Sequence, residues 1–397
     1  MARLLFILAI CCSFISQIPD VLNAGIDGIF KLIWVLPLLY QLVISPKSYF
    51  DNQLIPYYLY VLFFTLYCLF MQLFLEKSYM GADLYNMAIS TMITMVSYNF
   101  WKKNETPSLL NLISLFILLG GSMLAVVIFK DYWNGGSLLS PLEAFDIKNA
   151  LSPILLCCGV ATLTLYKPQK SIYRLISYGL VIIIMGVMIL LRSRATYVSA
   201  IYILMYVIYA SSNKRIKLWA AGLTAVVLVF FLTNAAFYDI LFKDILVGGI
   251  NSKSIDSVSS GRFTLISIVL TMIPNHPWIG NGNLYLDCMP IAMLAQYGIW
   301  GCLIVFPFLF YLLRKCTRLQ KTRPVGFTAF LLFTAFLVNS LFEAQTPFGP
   351  GIKCFIMWML FGFALAIQQK QKRETDDREG DRELLVDNNL SKSKNIS

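Results

Sequence analysis

The chain has 397 residues, of which 58% are hydrophobic and only 13% charged, with a mean hydropathy of +0.69. That balance leaves too little polar surface to cover a water-soluble core of this size, so a soluble globular protein is excluded. The net charge of +11 lies mostly in short segments between apolar runs, which is how membrane helices are oriented and not how nucleic acid is bound.

Apolar runs of about 20 residues recur along the chain, the length that crosses the hydrocarbon of a bilayer as a helix. In lipid the backbone must satisfy its own hydrogen bonds, and runs this continuous do so as helices and not as barrel strands. The predicted fold class is all-α: a polytopic helical integral membrane protein with about 12 transmembrane helices and one large outer loop. The spans fall at 4–22, 26–44, 54–75, 82–100, 109–129, 149–166, 172–191, 195–211, 217–236, 289–313, 325–345 and 351–368. Residues 1–369 then form the transmembrane domain, with the large loop at 237–288.

The first span follows Met1-Ala2-Arg3 and is interrupted at Asp20, which favours a retained anchor over a cleaved signal. In the second, Asp27 and Lys31 are four residues apart and are predicted to neutralise each other on one helix face. Lys102 and Lys103, Lys167 and Lys170, and the run from Arg314 to Arg323 occupy alternate connections, so both termini are placed in the cytoplasm. The nine cysteines include the adjacent pairs Cys11-Cys12 and Cys157-Cys158 and no C-x-x-C, a pattern of small apolar fillers without a disulfide framework or metal site. Residues 370–397 are charged and nearly free of aromatics; they are predicted to be a disordered cytoplasmic tail, with Lys370, Lys372 and Arg373 able to touch anionic lipid.

Two arginines break the charge pattern. Arg192 and Arg194 close the seventh span on the side from which cations are otherwise kept away. One reading is snorkelling, in which a guanidinium at a span end lifts to the lipid phosphates. The other is a site for a phosphorylated or pyrophosphorylated headgroup, which guanidinium groups bind through paired hydrogen bonds. The large loop adds Arg262, preceded by the capping hydroxyls of Ser257, Ser259 and Ser260. After it, residues 263–273 read as a helix that Pro274 ends, too short to span and predicted to lie at the membrane interface. The turn-forming residues that follow include Trp278, suited to the headgroup level.

Leu190-Leu191-Arg192-Ser193-Arg194-Ala195 resembles the "S-R" element of the O-antigen polymerase and O-antigen ligase superfamily. Ser260-Gly261-Arg262, then His276-Pro277-Trp278-Ile279-Gly280-Asn281-Gly282, then Leu294-Ala295-Gln296-Tyr297-Gly298-Ile299-Trp300-Gly301 are similar to that superfamily's ordered pattern G-R, P-x-x-G-x-G and L-x-x-x-G-x-x-G. The motifs cover residues 187–301; elsewhere the agreement is in hydropathy and span number alone. The ligase branch carries a histidine before its final apolar helix, and this chain has Asp287 there, followed by Cys288, which favours the polymerase branch.

The resemblance implies a glycosyltransferase of the bacterial inner membrane, acting at a periplasmic face. It would move a growing glycan from undecaprenyl pyrophosphate onto a new lipid-linked repeat unit. Arg194 and Arg262 are the candidates to stabilise the leaving pyrophosphate, with Arg192 as a further phosphate contact and Trp278 and Asn281 as substrate contacts. Asp287, Glu343 and His276 are candidate proton acceptors. Glu343 has the alternative role of partner to one of the arginines, and His276, between Asn275 and Pro277, that of shaping a turn. Trp133, Tyr197, Trp278 and Tyr285 read as interface anchors or as platforms for sugar faces. Neither metal nor cofactor is expected. The expected partners are the lipid-linked oligosaccharide, membrane lipid and a chain-length regulator protein, with no nucleic acid. The rival readings are an O-antigen ligase and a transporter of the same lipid-linked glycan.

Overall fold

The computed structural model describes residues 1–79, 81–134, 148–191, 193–211, 214, 217–218, 262–322, 324–349 and 353–394. Every regular element among them is helical. The first predicted span divides: α1 (Ala2–Ile15) stops short, and Ile18 turns extended before Pro19 opens the short α2 (Pro19–Asn23). Proline's ring disfavours the helical conformation in the residue before it, and so breaks the predicted 4–22 helix. The short α3 (Asp27–Lys31) leads through a 3-10 turn into α4 (Val35–Ile44). Lys31 pairs with Asp27 one turn away, as their spacing predicts, and the Trp34 indole donates to Ser13 Oγ at 2.8 Å to hold α1 beside this segment.

The bundle then continues with α5 (Ile55–Phe74), α6 (Gly81–Asn104), α7 (Pro107–Asn134), α8 (Lys148–Leu165), α9 (Ser171–Leu190) and α10 (Arg194–Ala210). After the undescribed stretch come α11 (Arg262–Met272), α12 (Met289–Leu319), α13 (Val325–Asn339) and α14 (Phe355–Lys394). Cross-helix hydrogen bonds fix the two ends of the bundle. Lys315 Nζ donates to Gln53 Oε1 at 2.7 Å at one end, while Met289 N donates to the Ser340 carbonyl at 2.8 Å at the other. Successive long helices therefore alternate between an Asp51 end and an Arg262 end.

Among the described residues, five segments are long and apolar enough to cross a bilayer: Asp27–Ile44, Ile55–Phe74, Pro107–Asp131, Ser171–Leu190 and Met289–Leu319. Val43, Phe74, Ile182 and Met205 lie on outward faces and are largely exposed, an apolar surface that suits lipid and not water. The centre of the bundle is α6 against the first half of α14. Helix α6 is the most polar of the predicted spans, yet it is buried along most of its length, so its Ser, Thr and Asn side chains meet protein instead of lipid. Ser90 Oγ donates to the Phe348 carbonyl at 3.0 Å, and Phe333, Phe348 and Phe361 surround Trp358.

Three further expectations meet a different outcome. Helix α13 ends at Asn339 rather than 345, because residues 340–349 turn back over the top of the bundle. Helix α12 is interrupted at Gly298 (φ 63°, ψ −166°) inside a mostly apolar run. Helix α14 continues to Lys394, through the segment for which composition predicts disorder. Gln, Lys, Arg and Glu are good helix formers, and extending an existing helix avoids the cost of nucleating one. The predicted 217–236 span, except residues 217–218, and loop residues 237–261 lie outside the described residues, as do Arg192 and the Ser257, Ser259 and Ser260 caps.

Candidate functional site

The glycine motifs acquire a physical meaning at the break in α12. The segment from Pro277 to Gly282 lies along the broken turn and takes up its backbone groups. Ile299 N donates to the Pro277 carbonyl at 2.9 Å and Trp300 N to the Trp278 carbonyl at 3.1 Å. In return, Asn281 N donates to the Ala295 carbonyl at 2.7 Å and Gly282 N to the Gln296 carbonyl at 3.0 Å. The two backbones approach so closely that a Cβ on Gly280 would stand 2.2 Å from the Gln296 oxygen, and one on Gly298 2.5 Å from the Trp278 oxygen. Both glycines also have positive φ, so two separate reasons exclude other residues there. Lys77 Nζ donates to the Gly280 carbonyl at 2.8 Å and Tyr67 Oη to the Tyr297 carbonyl at 2.6 Å, which ties the α5 end to the same knot.

This knot fixes the start of α12 and, through it, Asp287. Arg262, the first residue of α11, donates through Nε and Nη2 to Asp287 Oδ2 at 3.2 and 3.1 Å. Tyr285 Oη donates to the other oxygen, Oδ1, at 2.6 Å. Burial, then the bond to Asp287, pushes the Tyr285 hydroxyl above its ordinary range, so it remains a donor. Helix α11 is seated by Val269 against Leu286, Cys288, Ala292 and Ala295, while Leu265, Ile268 and Leu270 stay exposed on its other face. Glu343 arrives from the turn beyond α13, with Oε1 3.9 Å from Arg262 Nη2. It is 6% exposed, and Oε1 has no hydrogen-bond partner among the described residues. Burial raises the Glu343 carboxyl above the usual carboxylate range; Lys353 and Arg262 oppose the rise and Asp287 adds to it.

Arg194 opens α10 and is held by its neighbour. Ser193 is buried and donates to Asn149 Oδ1 on α8 at 3.0 Å, and accepts from Thr196 Oγ1 at 3.0 Å. The serine of the "S-R" element thus fastens the chain so that the arginine is aimed by the packing of two helices. Burial and the positive charge of Arg262 both lower the proton affinity of Arg194, which places the two guanidinium groups in each other's field. Each stands at a helix N-terminus, where the backbone dipole already presents positive charge and a cation is disfavoured. The two cations add to the positive ends of two helices, while Asp287 and Glu343 offset part of that charge on the Arg262 side.

Among the predicted site residues, Arg262, Asp287 and Glu343 meet directly, and Arg194 joins them through space. His276 is exposed and acts through its backbone, its carbonyl accepting from Gly280 N at 2.8 Å. Asn281 Nδ2 is committed to the Met272 and Ala295 carbonyls at 3.2 and 3.3 Å, so it holds the knot together. Trp278 is exposed beside Trp300, ring centroids 6.1 Å apart. The sequence reading passed over Lys353, which is wholly buried at the start of α14 with no hydrogen-bond partner for Nζ among the described residues. Its one signal in the sequence is a cation directly inside the last apolar run, in Phe348-Gly349-Pro350-Gly351-Ile352-Lys353. Among the described residues there is no group of His, Cys, Asp or Glu able to hold a metal ion. The chain matches no model of a known protein family and no curated protein.

Proposed function

We propose that the protein is a polymerase of lipid-linked glycan repeat units, with its site at the Arg262 end and that end facing the periplasm. About twelve crossings and an outer loop at 237–288 belong to the same proposal. The supporting observation is Arg262, opening a helix with its Nη2 3.9 Å from the buried Glu343 carboxylate, whose Oε1 has no hydrogen-bond partner among the described residues, together with Arg194 opening another helix. In the proposed reaction the acceptor hydroxyl oxygen bonds to the anomeric carbon of the growing chain. The bond from that carbon to the pyrophosphate oxygen breaks, and its electron pair leaves with the phosphate. Arg194 and Arg262 stabilise the charge that develops there, and the hydroxyl proton passes to Glu343. Asp287 holds Arg262 in place, and the tie from Tyr285 keeps Asp287 from rotating away.

Alanine at Arg194 or Arg262 tests this on surface polysaccharide separated by gel. Loss of the long ladder with single-repeat caps retained is the expected result. Loss of every cap indicates the ligase instead, and wild-type ladders at normal protein levels overturn both arginine roles. The transporter reading has one observation in its favour, the broken α12 above the buried Asp83, whose Oδ2 accepts from Tyr297 Oη at 2.9 Å. Transporter breaks leave backbone groups facing a substrate cavity. Here the 277–282 segment occupies them, which favours a fixed platform. Lipid-linked units trapped on the cytoplasmic face of a deletion strain would restore the transporter.

A further inference from the structure

No helix carries Glu343. It lies in the turn of residues 340–349 that follows α13, so its place 3.9 Å from Arg262 Nη2 depends on what holds that turn. One hold is the Ser340 carbonyl, three residues before Glu343, which accepts from Met289 N at 2.8 Å. The other hold comes from α6. Asn86 Nδ2 donates to Gln345 Oε1, two residues after Glu343, at 2.9 Å. Ser90 Oγ, four residues further along α6, donates to the Phe348 carbonyl at 3.0 Å. Glu343 is thus bracketed, by the start of α12 on one side and by α6 on the other.

Asp83, Asn86 and Ser90 are spaced three and four apart and so share one face of α6. None of them is more than 3% exposed. A buried polar group left unbonded is costly, so each of these bonds fixes the partner's place as well as its own. The fit against the turn is close: a Cβ on Gly349 would stand 2.3 Å from Asn86 Nδ2. One turn earlier on α6, Asp83 Oδ2 accepts from Tyr297 Oη at 2.9 Å, and Tyr297 adjoins the break at Gly298. The same face of α6 therefore supports both halves of the site. Asp83 holds the knot in α12, whose start leads back to Asp287 and Arg262, and Asn86 holds the turn that bears Glu343.

We propose that Asn86 is a positioning residue, which through Gln345 holds the Glu343 carboxylate against Arg262. The proton-acceptor role of Glu343 rests on the function proposed above; the hold on the turn does not. The test uses the full chain and two readouts. The first is labelling of Glu343 by a water-soluble carbodiimide in lipid nanodiscs, read by mass spectrometry. The wild-type carboxyl, 6% exposed, should react slowly. The second is elongation of lipid-linked repeat units in vesicles. Asn86→Leu keeps the size of the side chain and removes the donor, and it should raise labelling several-fold. It should also lower kcat about 100-fold, the cost of displacing a reacting group by about 1 Å, with KM unchanged because Arg194 and Arg262 stay in place. Gln345→Met breaks the same bond from the other side and decides the matter if Asn86→Leu does not fold. Unchanged labelling in a folded variant overturns the proposal, and so does a loss of elongation that lies in KM alone. Raised labelling in the variants beside a wild type that elongates nothing supports the hold and overturns the function, so the two failures are distinguishable.

Discussion

The two ends of the bundle use the same chemistry to opposite effect. At one, Asp51 accepts from Lys102 Nζ at 2.8 Å, Tyr98 Oη at 2.6 Å, Gln369 Nε2 at 2.6 Å and Gln53 N at 3.1 Å. Burial alone would raise this carboxyl, but the four donors together bring it well below the ordinary carboxylate range. At the other end, Asp287 is similarly held by Arg262 and Tyr285, yet beside it Glu343 and Lys353 are buried with polar atoms left over. A saturated cluster fastens helices and has nothing left to offer a substrate. An unsaturated one costs stability, and such costs concentrate where a ligand or a reaction makes use of them. Ser97, Asn99 and Trp101, beside the Asp51 donors on α6, also keep unpaired buried polar atoms, so what distinguishes the Arg262 end is that its unpaired atoms include those of an acidic and a basic side chain, Glu343 and Lys353.

The comparison breaks if substitutions at the two ends have the same kind of effect. The largest expected effect is at the Arg262 end: Arg194→Ala or Arg262→Ala should reduce glycan polymerisation by about 100- to 1,000-fold, the range for removing one donor from a developing anion. Chain-length distribution of extracted polysaccharide measures this, normalised to protein in the membrane. At the staple, Asp51→Asn should instead lower unfolding stability by roughly 3 kcal/mol while activity per folded molecule stays normal. Because the folded Asp51 carboxyl lies below its unfolded value, its contribution is present above the ordinary range and fades as pH falls through the lowered one. Thermal unfolding in detergent at a series of pH values should therefore show the wild type and Asp51→Asn converging in acid.

Glu343 should behave in the opposite sense. Its folded carboxyl is raised by burial, so it favours folding only while protonated. That contribution is full below the ordinary carboxylate range and lost as pH rises past the raised value. Glu343→Gln should abolish polymerisation, and the difference in unfolding midpoint between wild type and variant should change with pH in the sense opposite to that of Asp51→Asn. The smallest effect is expected at His276, whose exposed side chain is outside the site contacts: alanine there should change stability by no more than about 0.5 kcal/mol and leave the ladder intact.

Much of this arrangement was legible in the chain. The helix opened by Arg262 and ended before Pro274 follows from its apolar run and the breaking proline. The glycines of the 280–298 region stood out as a resemblance; the structure supplies the reason, two backbones in contact where any Cβ would collide. The break in α12 was hidden because residues on both sides are apolar, and a single glycine in such a run does not announce a kink. Lys353 was hidden because a cation at a span end ordinarily snorkels to the headgroups, and only packing reveals that this one is enclosed. Apart from Gln53, two residues on, the Asp51 staple joins residues 47 to 318 positions apart, a partnership that local pattern cannot contain.

The account depends on Arg194 and Arg262 serving an anionic leaving group. The most direct measurement is elongation by the purified chain in vesicles supplied with undecaprenyl-pyrophosphate-linked repeat units. The account predicts longer lipid-linked glycans, with one undecaprenyl pyrophosphate released for each unit joined, and neither product with Arg194→Ala or Arg262→Ala. Equal elongation by either variant, or release of lipid without elongation by the wild type, would contradict it.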